Sequence, residues 1–292
     1  GESQLLQGEG SILEEASKGY LERDQQGTRS SYNYNYWTSM VSPQGFANNA
    51  NYNIAGILMN GTDSNSPTAI SFVGGPYGAD NATVNTSTYW LWRFHGLAND
   101  YASWIYLGST GTLQTGEGFT MKGTSETAPI SDRQNYVFRG KPNNGTIQNL
   151  NLNTNENYLI GNPYPSAIDA NEFILDNLKP QAQGGAAGGR NTKNVFNGTI
   201  YFWDHFGGNT HILKEYIGGY AVYNLSGGVK AITNDDRVNI EAGDGSKIPE
   251  QYIPVGQGFF VITDLAGPNG SVTPQGGQIV LKNSQRIAEK EG

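Results

Sequence analysis

The sequence Gly-Glu-Gly-Phe-Thr-Met at residues 116–121 returns as Gly-Gln-Gly-Phe-Phe-Val at residues 256–261, in a chain of 292 residues. Each copy has two glycines at alternate positions and continues into apolar and aromatic side chains, which is typical of a turn followed by a β-strand. Glycines so placed allow a backbone bulge, or an aromatic ring that lies across the backbone. Neither copy is followed by Lys-Ser or Lys-Thr or opens a predicted helix, so a phosphate-binding loop is not indicated.

Three more pairs of signatures occur in the same order along the chain. They are residues 35–43 with 157–165, 89–96 with 200–207, and 136–139 with 279–282. Repeated signatures in a fixed order indicate an internal duplication. We therefore expect an all-β protein with two tandem β-sandwich modules, jelly-roll or immunoglobulin-like, at residues 28–150 and 151–286. We expect residues 1–27, a charged stretch, to be a lead-in from an upstream domain and residues 287–292 to be a tail.

Composition narrows the class of protein. The formal net charge is −8 and the pI is near 4.9, so the chain has no general attraction for nucleic acid. There is no Cys, which excludes disulfides and thiolate metal sites and suits either a cytosolic protein or a bacterial surface protein. The polar composition, rich in Gly, Asn, Thr, Ser and Tyr, favours a bacterial surface protein.

No apolar run approaches the ~20 residues of a membrane helix, so no membrane insertion is expected. The chain opens without Met or an export signal, as expected of a piece of a longer protein.

One short helix is predicted near residues 166–177. Ser166 is a suitable N-cap, Asp169 lies in the first turn, and Pro180 marks the end.

The candidate ligand-binding residues are Trp90, Trp92, Trp203, Asp204 and His205, which lie in two aromatic segments of matching position. Flat rings bind the apolar face of a sugar, so these segments suit a polysaccharide or a cell-surface glycan. The alternative is that alternate residues simply point to the core and to solvent. A serine hydrolase is not indicated, because no Gly-x-Ser-x-Gly elbow occurs. Three tyrosines at alternate positions, Tyr32, Tyr34 and Tyr36, share one strand face, which is either core or ligand platform.

A candidate Ca²⁺ site lies in the densest group of oxygen ligands, Asp235, Asp236, Glu241 and Asp244. The ordered Asp-x-Asp-x-Asp-Gly pattern is absent, so a solvated acidic loop is the alternative interpretation. Asp204 with His205 and His211 does not have the spacing of a known zinc site. No other cofactor is predicted.

Several segments resemble the C-terminal region of large secreted surface proteins of Bacteroidota. They are residues 2–6, 21–27, 34–43, 116–123, 159–167 and 282–286. The resemblance covers essentially the whole chain. It implies an adhesin-like protein that leaves the cell by the type IX secretion machinery and lies on the extracellular side of the outer membrane. It assigns no catalytic residue.

Three functions follow in order of preference. The first is a non-enzymatic β-module pair that acts in adhesion or as a structural platform next to the export signal. The second is a carbohydrate-binding module or an accessory of a polysaccharide-degrading protein. The third is a glycoside hydrolase, for which two facing carboxylates are needed.

Overall fold

The fold is built almost entirely from β-strands, as expected from the sequence. The computed structural model describes residues 3–80, 84–98, 100–232, 244–265 and 271–290. Strands and tight turns dominate these ranges and helices are short. The all-β class is therefore confirmed.

The strands of the first part of the chain are β1 (Leu21–Thr28), β2 (Tyr34–Trp37), β3 (Val41–Ser42), β4 (Leu58–Asn60), β5 (Thr68–Ala69), β6 (Ser71–Val73), β7 (Ala79–Asp80), β8 (Val84–Ser87), β9 (Trp92–Gly96), β10 (Trp104–Tyr106), β11 (Phe119–Lys122) and β12 (Arg133–Pro142). Those that follow are β13 (Asn151–Leu152), β14 (Asn157–Gly161), β15 (Ala167–Asp169), β16 (Ile200–Gly207), β17 (Ile217–Asn224), β18 (Gly227–Val229), β19 (Tyr252–Ile253), β20 (Gly258–Ile262), β21 (Gly277–Gln278) and β22 (Arg286–Ile287). The helices are α1 (Ile54–Ile57) and α2 (Ala170–Asp176).

The largest sheet contains strands from both halves of the chain. Among the described residues it has nine strands in the order β18-β17-β16-β20-β14-β9-β11-β2, with β10 beside β9. We call it the long sheet. A second sheet has the order β1-β12-β4-β5, with β3 also on β12, and the described ranges contain three smaller sheets besides.

The strand order within the long sheet repeats. The order β10-β9-β11-β2 in the first half matches the order β17-β16-β20-β14 in the second. The strands that carry matching sequence signatures, β2 with β14, β9 with β16 and β11 with β20, thus hold matching positions. This is the arrangement expected of a duplicated unit.

The register within matching strands differs from the sequence alignment by one residue for the Asn-Tyr signature. Phe119 pairs with Trp37, whereas Phe259 pairs with Ile160. Phe119 and Phe259 hold the same place in the two repeated motifs, so their strand partners Trp37 and Ile160 are equivalent in the structure. The sequence alignment instead matches Trp37 with Leu159. Leu159 packs in the same apolar cluster as Tyr36, so the face to which a side chain points, rather than the identity of the tyrosines, matches the two strands.

The tryptophan signature is displaced by two residues. Thr120 pairs with Trp92, and the corresponding Phe260 pairs with Tyr201. Trp92 therefore corresponds to Tyr201 and not to Trp203. A shift of two residues keeps the same face of the strand, which is why the sequence pattern gave no sign of it.

The first glycine of each repeated motif joins the two halves. Gly116 has φ +89° and Gly256 has φ +68°, a left-handed conformation that suits glycine. The amide of Gly161 donates to the carbonyl of Gly116, and the amide of Thr38 donates to the carbonyl of Gly256, both at 3.0 Å. Each glycine turn thus binds the Asn-Tyr strand of the other half, and we call this exchange the reciprocal contact.

The second glycine of each motif makes room for that strand. A Cβ on Gly258 would lie 2.7 Å from the carbonyl carbon of Tyr36 and 2.9 Å from the amide nitrogen of Trp37. A Cβ on Gly118 would lie 2.8 Å from Cγ of Leu159. What crosses these glycines is therefore a strand from the opposite half rather than the expected aromatic ring.

Two large apolar clusters form the core. One lies mostly in the second half, where it is centred on Phe173, Phe196 and Phe259, and it includes Ile147 and Leu150 of the first half. The other belongs to the first half, with Trp37 and Phe138 among its members, and it also receives Val255 from the second half. The halves therefore share core as well as sheet.

The predicted helix is α2, but it begins later than expected. The side chain of Asp169, not of Ser166, caps it by accepting from the amides of Asn171 and Glu172. The three residues after Ser166 form β15. The Ser166 hydroxyl accepts a hydrogen bond from Nε of Arg286 at 2.9 Å. Helix α1 was not predicted, since four residues give no helical periodicity.

Two expected strand runs also differ. Residues 88–90 form a 3-10 turn that the Ser87 hydroxyl caps, so the strand begins only at Trp92. Residues 279–282 were matched to 136–139 of β12, but in this stretch only Leu281 makes a bridge, to Ile147. Their side chains remain partly core, because Ile279 and Leu281 are buried.

The expected lead-in contains a full strand. All eight residues of β1 pair with β12, from Leu21 opposite Gly140 to Thr28 opposite Arg133. Residues 21–27 thus belong to the second sheet.

The beginning of the chain also lies against its end. The Arg286 guanidinium donates to the side chain of Gln7 at 3.0 Å, and the Asn283 amide donates to the carbonyl of Gly8 at 2.8 Å.

Candidate functional site

One face of the long sheet carries an array of aromatic rings. Directly opposed residues of antiparallel strands point to the same side, and pairing places Tyr36, Thr120, Trp92 and Tyr106 in one row across β2, β11, β9 and β10. The rings on this side, which we call the aromatic face, are those of Tyr34, Tyr36, Trp92, Phe94, Trp104, Tyr106, Tyr201, Trp203, Tyr220 and Phe260.

The rings of the two halves meet at Tyr36. Its ring stacks on Trp203 with 6.1 Å between centroids and 15° between planes, and lies 6.5 Å from Trp104 in an edge-on contact. Phe94 and Phe260 meet at 5.2 Å. Tyr36 is buried, while Trp104 and Trp203 are partly exposed. The aromatic face is therefore a packed layer whose outer edges reach solvent.

The three predicted tryptophans gather on this side of the sheet. Trp92 and Trp203 belong to the aromatic face, and Trp90 lies in the 3-10 turn with its ring 6.0 Å from Tyr34. All three are partly exposed. The indole of Trp90 donates to the carbonyl of Pro76 at 2.7 Å, which fixes the orientation of its ring.

Asp204 is not brought together with the other candidates. Its neighbours in β16, Trp203 and His205, point to the aromatic face, whereas Asp204 points to the opposite side and is buried. Oδ1 of Asp204 lies 3.8 Å from Nζ of Lys247. Burial raises the pKa of Asp204, and the charge of Lys247 opposes that shift. A catalytic pair of Asp204 with His205 is therefore not assembled in this strand.

The acidic loop contributes little to the described structure. Asp235, Asp236 and Glu241 lie outside the described residues. Asp244 is exposed and binds Lys230 at 3.2 Å. Within the ranges given above, no group of three or more His, Cys, Asp or Glu side chains is placed to hold a metal ion. Ca²⁺ binding stays a prediction.

Sequence reasoning missed Lys122, the last residue of β11. Its side chain is almost fully buried, with 2% exposed. The Nζ atom lies 3.9 Å from the ring centroid of Trp90, 4.4 Å from that of Tyr34 and 4.7 Å from that of Tyr216. It also donates to the Tyr216 hydroxyl and lies 3.1 Å from Nδ1 of His211. We call these five residues the Lys122 cluster.

Two opposing effects act on the Lys122 amine. Burial lowers its pKa to about 6. The three ring faces favour the charged form, because an ammonium group is attracted to aromatic faces. Within the described structure no carboxylate forms an ion pair with this amine. The group therefore titrates far below the ordinary range of a lysine.

Two of the three histidines lie beside this amine. Burial, and then the charge of Lys122, lower the pKa of His205 to about 3 and that of His211 to about 4. Nδ1 of His205 accepts from the Tyr34 amide at 3.4 Å. The ring of His211 stacks on Trp90 at 4.7 Å. Both imidazoles are thus held as neutral rings.

These shifts predict acid sensitivity of the whole fold. The unfolded chain takes up protons on both histidines near pH 6.5, whereas the folded chain does so only near pH 3 to 4. The stability that the two neutral histidines contribute is therefore fully present above pH 6.5 and is lost as pH falls toward 3. Urea unfolding between pH 8 and pH 4 measures this loss. His205→Asn, which keeps an acceptor near Nδ1, is expected to flatten the slope, and an unchanged slope contradicts the assignment.

Exposed tyrosines surround the Lys122 cluster. Tyr77 lies 5.1 Å from His211, and Tyr89 lies 4.7 Å from Trp90. Tyr101 is 77% exposed, and the charge of its phenolate contributes to raising the pKa of Tyr34 and Tyr216. We call Tyr77, Tyr89, Trp90, Tyr101 and His211 the Trp90 patch.

The fold and this site define an all-β protein with a duplicated strand order and a partly exposed aromatic face. The sequence profile of a domain of unknown function, DUF8693, matches residues 65–291, about three quarters of the chain. The chain belongs to this family. No curated protein and no solved structure matched the chain.

Hydrophobic helices of membrane-spanning length are not found in the part of the chain that the structure describes.

Proposed function

We propose that this domain is a non-enzymatic adhesion module that binds a polysaccharide or cell-surface glycan through the Trp90 patch. The observation that carries the proposal is the group of exposed rings around Trp90, continuous with the aromatic face beneath it. This combines the first two functions expected from the sequence.

The chemistry of the patch suits a sugar ligand. Aromatic faces cover the apolar C–H surfaces of a sugar ring, and phenol and imidazole groups bind its hydroxyls. Tyr89 and Tyr101 each leave half or more of the side chain exposed. A glycan binds such rings without any catalytic group.

We further propose that the protein acts on the extracellular side of the outer membrane after export by the type IX machinery. The resemblance to Bacteroidota surface proteins supports this placement, as does the polar composition, rich in Gly, Asn, Thr, Ser and Tyr.

The test is a titration of intrinsic Trp fluorescence with a panel of marine and plant polysaccharides. Saturable quenching by at least one glycan is expected. Tyr101→Ala is expected to raise the Kd for that glycan about two- to tenfold, since one aromatic contact contributes roughly 0.5–1.5 kcal/mol.

Tyr20→Ala is the matched control. Tyr20 is about half exposed, and its ring packs against the Arg139 guanidinium, beside the second sheet. It is expected to leave the Kd unchanged. Absence of quenching with every glycan contradicts binding at the patch. An equal rise in Kd in Tyr101→Ala and Tyr20→Ala contradicts it as well.

A further inference from the structure

Three bases are gathered under the Trp90 patch. Lys122 lies within 3.1 Å of His211, and His205 packs on Tyr216 at 5.4 Å between ring centroids. The other titratable groups that face them are Tyr32, Tyr34, Tyr77, Tyr101 and Tyr216, with Glu126 acting on Tyr32. Burial raises the pKa of Tyr32, Tyr34 and Tyr216, so these phenols stay neutral and do not compensate added positive charge.

The contact between Lys122 and His211 depends on protonation. A neutral imidazole accepts a hydrogen bond at Nδ1 from the amine. Once both groups are protonated, each presents only donors to the other, and two positive charges face each other across 3.1 Å. The hydrogen bond is then replaced by repulsion in a buried site.

His211 also holds the rings of the patch together. Its imidazole contacts Tyr32 at 4.8 Å, Tyr77 at 5.1 Å and Trp90 at 4.7 Å. It lies in the loop between β16 and β17, whereas Lys122 is fixed in the long sheet. Repulsion therefore displaces the imidazole rather than the amine.

We propose that the Trp90 patch is acid-sensitive: protonation of both Lys122 and His211 expels His211 from the cluster and opens the ring contacts around Trp90. Ligand binding at the patch is then kept near neutral pH and lost in acid. The loss of binding rests on the proposed function, whereas the opening occurs in the free protein.

The experiment measures acrylamide quenching of Trp fluorescence without glycan at about pH 8 and at about pH 3.5, which is below the pKa of about 4 of His211. Far-UV circular dichroism at both pH values checks that the fold is intact. The quenching constant of the native protein is expected to rise about twofold in acid. The rise is expected to disappear in Trp90→Phe, which removes the reporter, and in Lys122→Met and His211→Gln, which remove one titrating partner each.

Lys141→Met is the matched control. Lys141 is equally buried, but its amine binds the carbonyl of Glu15 and not an imidazole. This variant is expected to show the native rise. The proposal is overturned if the quenching constant of the native protein does not rise in acid. It is also overturned if His211→Gln shows the full native rise, and this second result is conclusive even if Lys122→Met does not fold. An acid-opened patch that binds no glycan at any pH rejects the proposed function alone.

Discussion

Replacement of Asp176 by alanine is expected to lower the free energy of unfolding by about 2–3 kcal/mol, because it removes a buried charged acceptor of hydrogen bonds. The carboxylate is 2% exposed and accepts from Nε of Arg190 at 2.7 Å and from Nζ of Lys282 at 2.9 Å through one oxygen. The other oxygen accepts from Gln285 at 2.8 Å. Because Asp176 lies at the C-terminal end of α2, where negative charge is disfavoured, these donors are what stabilise it.

Glu172→Ala is the control for this prediction. Glu172 also binds Arg190, at 2.7 Å, but both side chains are about two-fifths exposed. Its loss is expected to lower stability by less than about 1 kcal/mol. Urea unfolding of both variants measures the difference, and equal losses contradict the role assigned to Asp176.

Gly258→Ala is expected to lower the free energy of unfolding by about 1–3 kcal/mol or more, because a new methyl group overlaps atoms that cannot move independently. Those atoms belong to the backbone of β2. The loss is expected to appear as separation of the two halves, with hydrogen exchange accelerated in β2 and β20 before the rest of the sheet.

Gly74→Ala provides the comparison, since a Cβ there meets no atom within 4 Å. It is expected to change stability by less than about 0.5 kcal/mol. A neutral Gly258→Ala variant would falsify the view that close approach at this glycine joins the halves.

Much of the fold follows from the sequence. Alternation of aromatic and polar side chains, with Gly and Asn at the turns, was sufficient to predict the all-β class. The order of the repeated signatures anticipated the repeated strand order, because a duplicated chain keeps its topology. The two-residue displacement of the tryptophan signature was not predictable, since it keeps the same face of the strand. The one-residue displacement of the Asn-Tyr signature was not predictable because adjacent residues of β14, Leu159 and Ile160, are both buried.

Individual side-chain hydrogen bonds explain the local errors. The N-cap moved from Ser166 to Asp169 because the Ser166 hydroxyl is used by Arg286, a residue 120 positions away. The strand expected at residues 88–92 begins late because Ser87 caps a 3-10 turn. The first contact depends on the tertiary structure and the second is local, and neither leaves a periodic signal.

The candidate site was predicted in part. The aromatic segments were found because Trp and Tyr are conspicuous there, and alternation in β16 separates Asp204 from Trp203 and His205. Lys122 was missed, although a lysine that alternates with apolar residues in a predicted strand is a usable signal for a buried amine. His211 was considered only as a metal ligand, because its contact with Lys122 joins segments about 90 residues apart.

The contact between the beginning and the end of the chain has a mechanical consequence. Tension applied between residues 4 and 289 acts first on the hydrogen bonds of Gln4 with Glu289 and of Leu5 with Arg286, and then on those of Gln7 and Gly8 with Arg286 and Asn283. These bonds lie at neighbouring positions and break one after another, as in unzipping, while the long sheet remains unstressed. A protein anchored and pulled through its ends would lengthen by releasing these terminal segments at low force, before the tryptophan-bearing surface experiences any strain.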